Sequence, residues 1–124
     1  AELIPVLQAK HIGIISASPL GMGLLTARGA PEWHPAPAEI KEACAQAAAY
    51  CRRQGVDIAQ LAIQFSLSTP DIATTLVSTA TPQNIIKNVK WLETPFDQAL
   101  LAQVQAILAP IKNQTWLSGR PENN

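Results

Sequence analysis

Only two stretches of this sequence read as β-strands, and helical segments separate them. Residues 11–18 (HIGIISAS) are apolar and β-branched and stop at Pro19; residues 73–78 (ATTLVS) form the second run. Strands that alternate with helices pair in parallel through crossovers. Parallel sheets are covered on both faces and contain several strands. Two strands cannot bury the helices this chain carries, so the order of elements predicts a piece of a larger α/β fold. Residues 3–9 (LIPVLQA) read as the last turns of a helix that begins before residue 1, which puts the expected remainder upstream.

Residues 38–54 read as a helix, because Ile40, Cys44, Ala47 and Cys51 recur at helical spacing, and Gly55 stops it. Asp57 is a good N-cap for the next helix, with Gln60 three positions on completing a capping box. Ile58, Leu61, Ala62 and Phe65 give that helix its expected buried face. Thr81 and Pro82 open a third helix as N-cap and first helical residue, with Ile85, Ile86, Val89 and Leu92 apolar. Asp97 caps a last helix whose inner face carries Leu101, Val104 and Leu108, and Pro110 ends it. Between the first strand and the 38–54 helix, residues 19–37 form a long loop set with Gly and Pro around Trp33 and His34; loops of this length are often functional.

Apolar residues make up 48% of the 124, which excludes a disordered chain. Nine basic residues balance nine acidic ones. Zero net charge argues against a nucleic-acid surface and against an anionic-membrane anchor. No apolar run approaches the ~20 residues that span a bilayer, and AELIPVLQAK lacks the basic flank and apolar run of a secretory leader. Cys44 and Cys51 lie seven residues apart on one predicted helix. Their Cα atoms would be ~10 Å apart, beyond disulfide reach, so both are expected as free thiols on a buried face. Buried reduced thiols fit a cytoplasmic protein.

The histidines and cysteines do not have metal-ligand spacing; His11 is expected to open a strand and His34 to be a hydrogen-bonded or solvated surface residue. No Ser lies in a G-x-S-x-G elbow, and Tyr50 reads as a packing residue. Two segments point to ligand binding. In Ser18-Pro19-Leu20-Gly21-Met22-Gly23, small residues after a strand let backbone amides approach a phosphate, although Thr26 breaks the G-x-G-x-x-G pattern. In Ser78-Thr79-Ala80-Thr81-Pro82, a strand runs into a helix N-terminus, where unpaired amides and the dipole favour anions. Each segment lies at the C-terminal end of a parallel strand, the face where α/β folds bind ligands.

SASPLGMGLLT, PEWHPA, IAQLAIQFSLS, LVSTATPQNIIKNV and APIKNQTWLSG together resemble the C-terminal part of the aldo-keto reductases, and among them the L-galactose dehydrogenase group. S-P-L and the terminal N-V are motifs of the broad family; EWHPA and IKNQTW are more specific. The resemblance implies the C-terminal part of a TIM (β/α)8 barrel: the end of helix six, strands seven and eight with their helices, a C-terminal helix and a tail. Residues 1–124 would then be one portion of a single barrel domain.

It further implies that Ser18, Pro19, Leu20 and Gly21 wrap the cofactor pyrophosphate and nicotinamide ribose. Ser78, Thr79 and Ala80 would hold the adenosine 2′ position, Asn84 the next contact, and Asn88 the adenine. Trp116 would shape the substrate mouth. Ala17 stands where many members stack an aromatic ring on the nicotinamide, and Lys87 where a Glu commonly contacts adenine. The catalytic Asp, Tyr, Lys and His of the family match no position here and are expected upstream. The implied activity is NAD-dependent oxidation of L-galactose or a similar aldose to its lactone. NAD is expected over NADP because Ser78 and Asn84 are neutral where NADP users commonly carry Lys and Arg. A general aldehyde reductase and a non-catalytic cofactor-binding module are the alternatives. The expected partners are a small sugar or aldehyde and the N-terminal part of the barrel, with no nucleic acid and no membrane.

Overall fold

The computed structural model describes residues 3–117. Its elements run α1 (Leu3–Ala9), β1 (Ile15–Ala17), α2 (Ala38–Arg53), α3 (Ile58–Leu67), β2 (Thr74–Leu76), α4 (Pro82–Leu92) and α5 (Gln98–Leu108), with single 3-10 turns at Gly21–Gly23 and Ala109–Ile111. β1 and β2 pair in parallel, Ser16 opposite Thr75, so the helices between them form the expected crossover.

Both strands are shorter than the sequence predicts. His11 does not open β1. It takes φ 54° just past α1, where its own amide bonds Gln8 O and the next amide, of Ile12, bonds Leu7 O. That paired geometry is the Schellman stop, here built on a non-glycine residue. Gly55 ends α2 in the same way at φ 74°, with Gly55 N on Arg52 O and Val56 N on Cys51 O.

The helix caps divide. Asp97 accepts from the Leu100 amide at 2.8 Å, a full N-cap. Asp57 caps α3 through the Ala59 amide at 3.0 Å, and among the described residues no bond from the Gln60 side chain completes the expected capping box. Thr81 makes no side-chain cap on α4; that correction bears on the site below.

Two apolar clusters form the interior. Ala47, Cys51, Ile58, Leu61, Leu100 and Val104 join α2, α3 and α5. Leu24, Ala36, Ile40 and Cys44 join α2 to the 19–37 loop, with Ile111 and Trp116 packed against them. The predicted stripe of α2 is buried throughout, and both cysteines are free. Phe65, expected in the core, is exposed; Gln64 is buried instead. Its side-chain amide donates to Trp91 O at 3.0 Å and Thr94 O at 2.8 Å, so the amide nitrogen enters the interior with two carbonyl partners and ties α3 to the end of α4. The apolar face of α4 is open: Ile85, Ile86, Val89 and Leu92 are all exposed. No helix among the described residues is long and apolar enough to cross a membrane.

Candidate functional site

A cavity of about 470 Å³ opens where the chain leaves the two parallel strands, within the size range of small-molecule sites. Ser18, Pro19 and Leu20 line it from the loop after β1; Ser78, Thr79, Asn84 and Asn88 line it from the other side. Two segments about sixty positions apart in the sequence are thus brought to one hollow. Gly21 and Ala80 are not among the lining residues, and Trp116 lies elsewhere, against His34 and the second apolar cluster.

The loop wall has an unusual backbone. Ser18 (φ 57°), Gly21 (53°), Met22 (52°) and Gly23 (104°) all take left-handed conformations. For the two non-glycine residues this costs about 1–2 kcal/mol each. The loop is tied to the end of β2 by Ser18 N to Leu76 O and held by its own bonds, Gly21 N to Ser18 O and Leu25 N to Leu20 O. Gly23 is fixed sterically as well, since a Cβ there would meet Gly29 O and the Pro31 ring, each at 3.3 Å.

The opposite wall is built around Thr79. Its Oγ1 accepts from the Thr81 amide at 3.2 Å and from the Asn84 side-chain amide at 3.0 Å. Thr79 therefore fixes the turn that leads into α4, and the helix keeps no side-chain cap from Thr81. With two bonds accepted, the Thr79 hydroxyl proton is the polar feature left for a ligand. Asn84 is oriented by the same contact. Ser78 is exposed and lines the cavity without a side-chain partner among the described residues.

In the sequence Lys87 stands out as a departure at an adenine-contact position, whereas Arg28, Asp57, Thr26 and Trp91 do not read as site residues. Arg28 and Lys87 bring two cations to the cavity, Asp57 brings one carboxylate, and Thr26 and Trp91 complete the wall. A hollow with net positive lining, hydroxyls, amides and an indole suits an anion joined to an aromatic or apolar group, as in a nucleotide. Arg28 carried no signal beyond its charge. Lys87 lies three positions past Asn84, the helical spacing at which side chains share a face.

His34 contradicts its expected surface placement: it is only 3% exposed. Its Nε2 lies 3.1 Å from Gly21 O, and its Nδ1 lies 3.1 Å from the Ala36 amide. A backbone amide can only donate, so Nδ1 accepts and Nε2 carries the proton that Gly21 O receives. Trp33 stacks on the ring at 6.2 Å and Trp116 meets it edge-on at 5.0 Å. EWHPA and IKNQTW, far apart in sequence, meet here.

The aldo/keto reductase family model matches residues 1–109. L-galactose dehydrogenase of Arabidopsis thaliana is 44% identical over 98% of this chain and 40% of its own length. D-arabinose 1-dehydrogenase of Saccharomyces cerevisiae is 40% identical over 48% of this chain and 18% of its own length. The chain thus spans about two fifths, or less, of the curated relatives it matches. Two parallel strands with crossover helices are the architecture of part of the barrel that the family implies. With the family model matched over most of its length, the chain belongs to the aldo/keto reductase family.

Proposed function

We propose that the cavity at the strand ends is the cofactor site of a sugar dehydrogenase that oxidises L-galactose, or a similar aldose, to its lactone with NAD. In this reading residues 1–124 are the C-terminal portion of one barrel domain. α1 is the end of helix six, and β1 and β2 are strands seven and eight. The observation that carries the reading is the convergence of Ser18–Leu20 and Ser78–Thr79 on one cavity beyond the ends of two parallel strands. Gly21 contributes through the loop's backbone, and Ala80 through the turn into α4. Asn84 and Asn88 face the adenosine, and Trp116 belongs to the substrate mouth. When bound, the cofactor supplies the hydride acceptor; the chain's residues bind and orient it. The proton-transfer residues are assigned to sequence upstream of residue 1. The names of the two relatives, both sugar dehydrogenases, support this substrate class over general aldehydes.

NAD is proposed because Ser78 and Asn84 are neutral and Asn84 is already bonded to Thr79. A 2′-phosphate requires cationic partners, and one charge-assisted hydrogen bond of ~1.5–3 kcal/mol corresponds to roughly 10–100-fold in affinity. Arg28 and Lys87 favour the second reading, NADP, because both line the cavity. The test is kcat/KM for both cofactors with L-galactose, using the whole protein that carries this chain. A ratio favouring NAD by about tenfold or more is expected. Equal values, or a preference for NADP abolished by Lys87→Ala or Arg28→Ala, would replace this reading with the second.

A further inference from the structure

We propose that His34 is a positioning residue for the Ser18–Gly23 loop, and that through it the tail around Trp116 sets the affinity for the dinucleotide. The inference rests on the reading of the cavity as a cofactor site. It adds a residue outside the cavity lining and a coupling between two regions.

Three observations carry it. First, the loop holds four left-handed residues, two of them not glycine, so its shape is not one the chain adopts without help. Second, the Gly21 carbonyl receives the Nε2 proton of a histidine that is itself fixed at Nδ1 by the Ala36 amide. The ring can satisfy both bonds only in one neutral tautomer, and its burial, with Trp116 edge-on against it, keeps competing water from it. Third, Trp116 is anchored in the same apolar cluster as Leu24, which follows the loop directly. Loop, histidine and tail therefore form one packed unit. If Trp116 leaves, the face of His34 is wetted; if His34 loses the Gly21 carbonyl, the loop relaxes toward ordinary dihedrals. A loop that must be reordered on binding weakens binding by the cost of the ordering.

The histidine does not reach the cavity, so its effect should fall on cofactor affinity and leave the sugar's KM unchanged at saturating cofactor. Two substitutions separate the two bonds. In His34→Asn the amide oxygen occupies the place of Nδ1 and still accepts from Ala36, while the Gly21 bond is lost. In His34→Gln the longer amide places an N–H near the position of Nε2 and restores the Gly21 bond.

NAD titration of the whole protein, with wild type, His34→Asn and His34→Gln, reads the difference. His34→Asn is expected to raise the NAD Kd about threefold to tenfold, the worth of one neutral hydrogen bond, and His34→Gln to recover most of it. Amide exchange across residues 20–25 should speed up in His34→Asn and not in His34→Gln. Should His34→Asn fail to fold, Trp116→Phe supplies the same test through binding alone: it should raise the NAD Kd and speed amide exchange across residues 20–25. An unchanged NAD Kd in the folded variants, or equal weakening by Asn and Gln, overturns the positioning role alone. Failure of the wild-type whole protein to bind NAD or NADP overturns the cofactor reading and this inference with it.

Discussion

The two sides of this molecule are finished to different degrees. Between α2, α3, α5 and the 19–37 loop, side chains are buried: Leu61 is 2% exposed and Cys51 fully covered. On the side formed by the strands and α4, the same kinds of residue stand open, Ile15 at 63% and Ile86 at 68%. The apolar stripe of α4 is as regular as that of α2, so the sequence intends both to be covered. A contiguous exposed apolar face of this kind marks an interface. We assign it to the remainder of the barrel, in which strands seven and eight would each have a second neighbour. The cavity lies at the end of this open side; in the proposed reading it is one wall of the cofactor site, and the proton-transfer residues lie upstream.

The largest expected effect follows directly. The 124-residue chain expressed alone should bind a hydrophobic dye strongly, aggregate, and show no nicotinamide-dependent oxidation of L-galactose, whereas the whole protein should do none of the first two and turn over the sugar. Measurable turnover by the chain alone would break the division between the sides. A paired substitution sharpens it. In the whole protein, Leu61→Ala and Ile86→Ala should each lower unfolding stability by about 2–5 kcal/mol in a denaturant melt, because both would leave cavities. If Ile86 faced water there, its substitution would fall within about 0.5 kcal/mol of wild type.

The helix faces were legible in the sequence where a neighbour within the chain covers them. Ile40, Cys44, Ala47 and Cys51 are buried as their spacing predicts. Phe65 was not, because the period identifies an apolar face without saying which element meets it. Gln64 was illegible for the converse reason: its burial depends on two carbonyls at the end of α4. In the site, the wall residues Ser18 and Ser78 could be named from strand-end position. Arg28 entered only through the fold of its loop, and the side-chain bonds of the turn fell to Thr79 and not Thr81 because a turn's hydrogen bonds are set by backbone dihedrals. His34 read as a surface residue because nothing in a single sequence joins Trp33 to Trp116.

The smallest expected effect concerns the packed side alone. Burial pushes the Cys44 thiol up, and burial followed by the nearby Asp57 carboxylate pushes up Cys51. Below the ordinary thiol pKa of about 8.5, native and unfolded chains both keep these protons and stability is unaffected. Above it the unfolded chain releases protons that the native one retains, so stability falls as pH rises from about 8.5 through the raised native values. Stability curves of the whole protein from pH 7 to 10 should show this slope, and replacing both cysteines by Ala should reduce it. In the native protein the two thiols should remain unlabelled by a thiol reagent; an internal disulfide would contradict the placement of α2.

The division between the two sides is tested most directly by chemical access to α4 in the whole protein. Cysteines placed singly at Ile86, on the open apolar face, and at Ala102, on the exposed face of α5, report the two environments in a background without Cys44 and Cys51. If α4 is covered by the rest of the barrel, the thiol at position 86 should react at least about a hundredfold more slowly than the one at 102, the protection expected when labelling requires local opening. Equal rates at the two positions would show that the apolar face of α4 is open in the whole protein, and would contradict the assignment of this chain to one closed barrel.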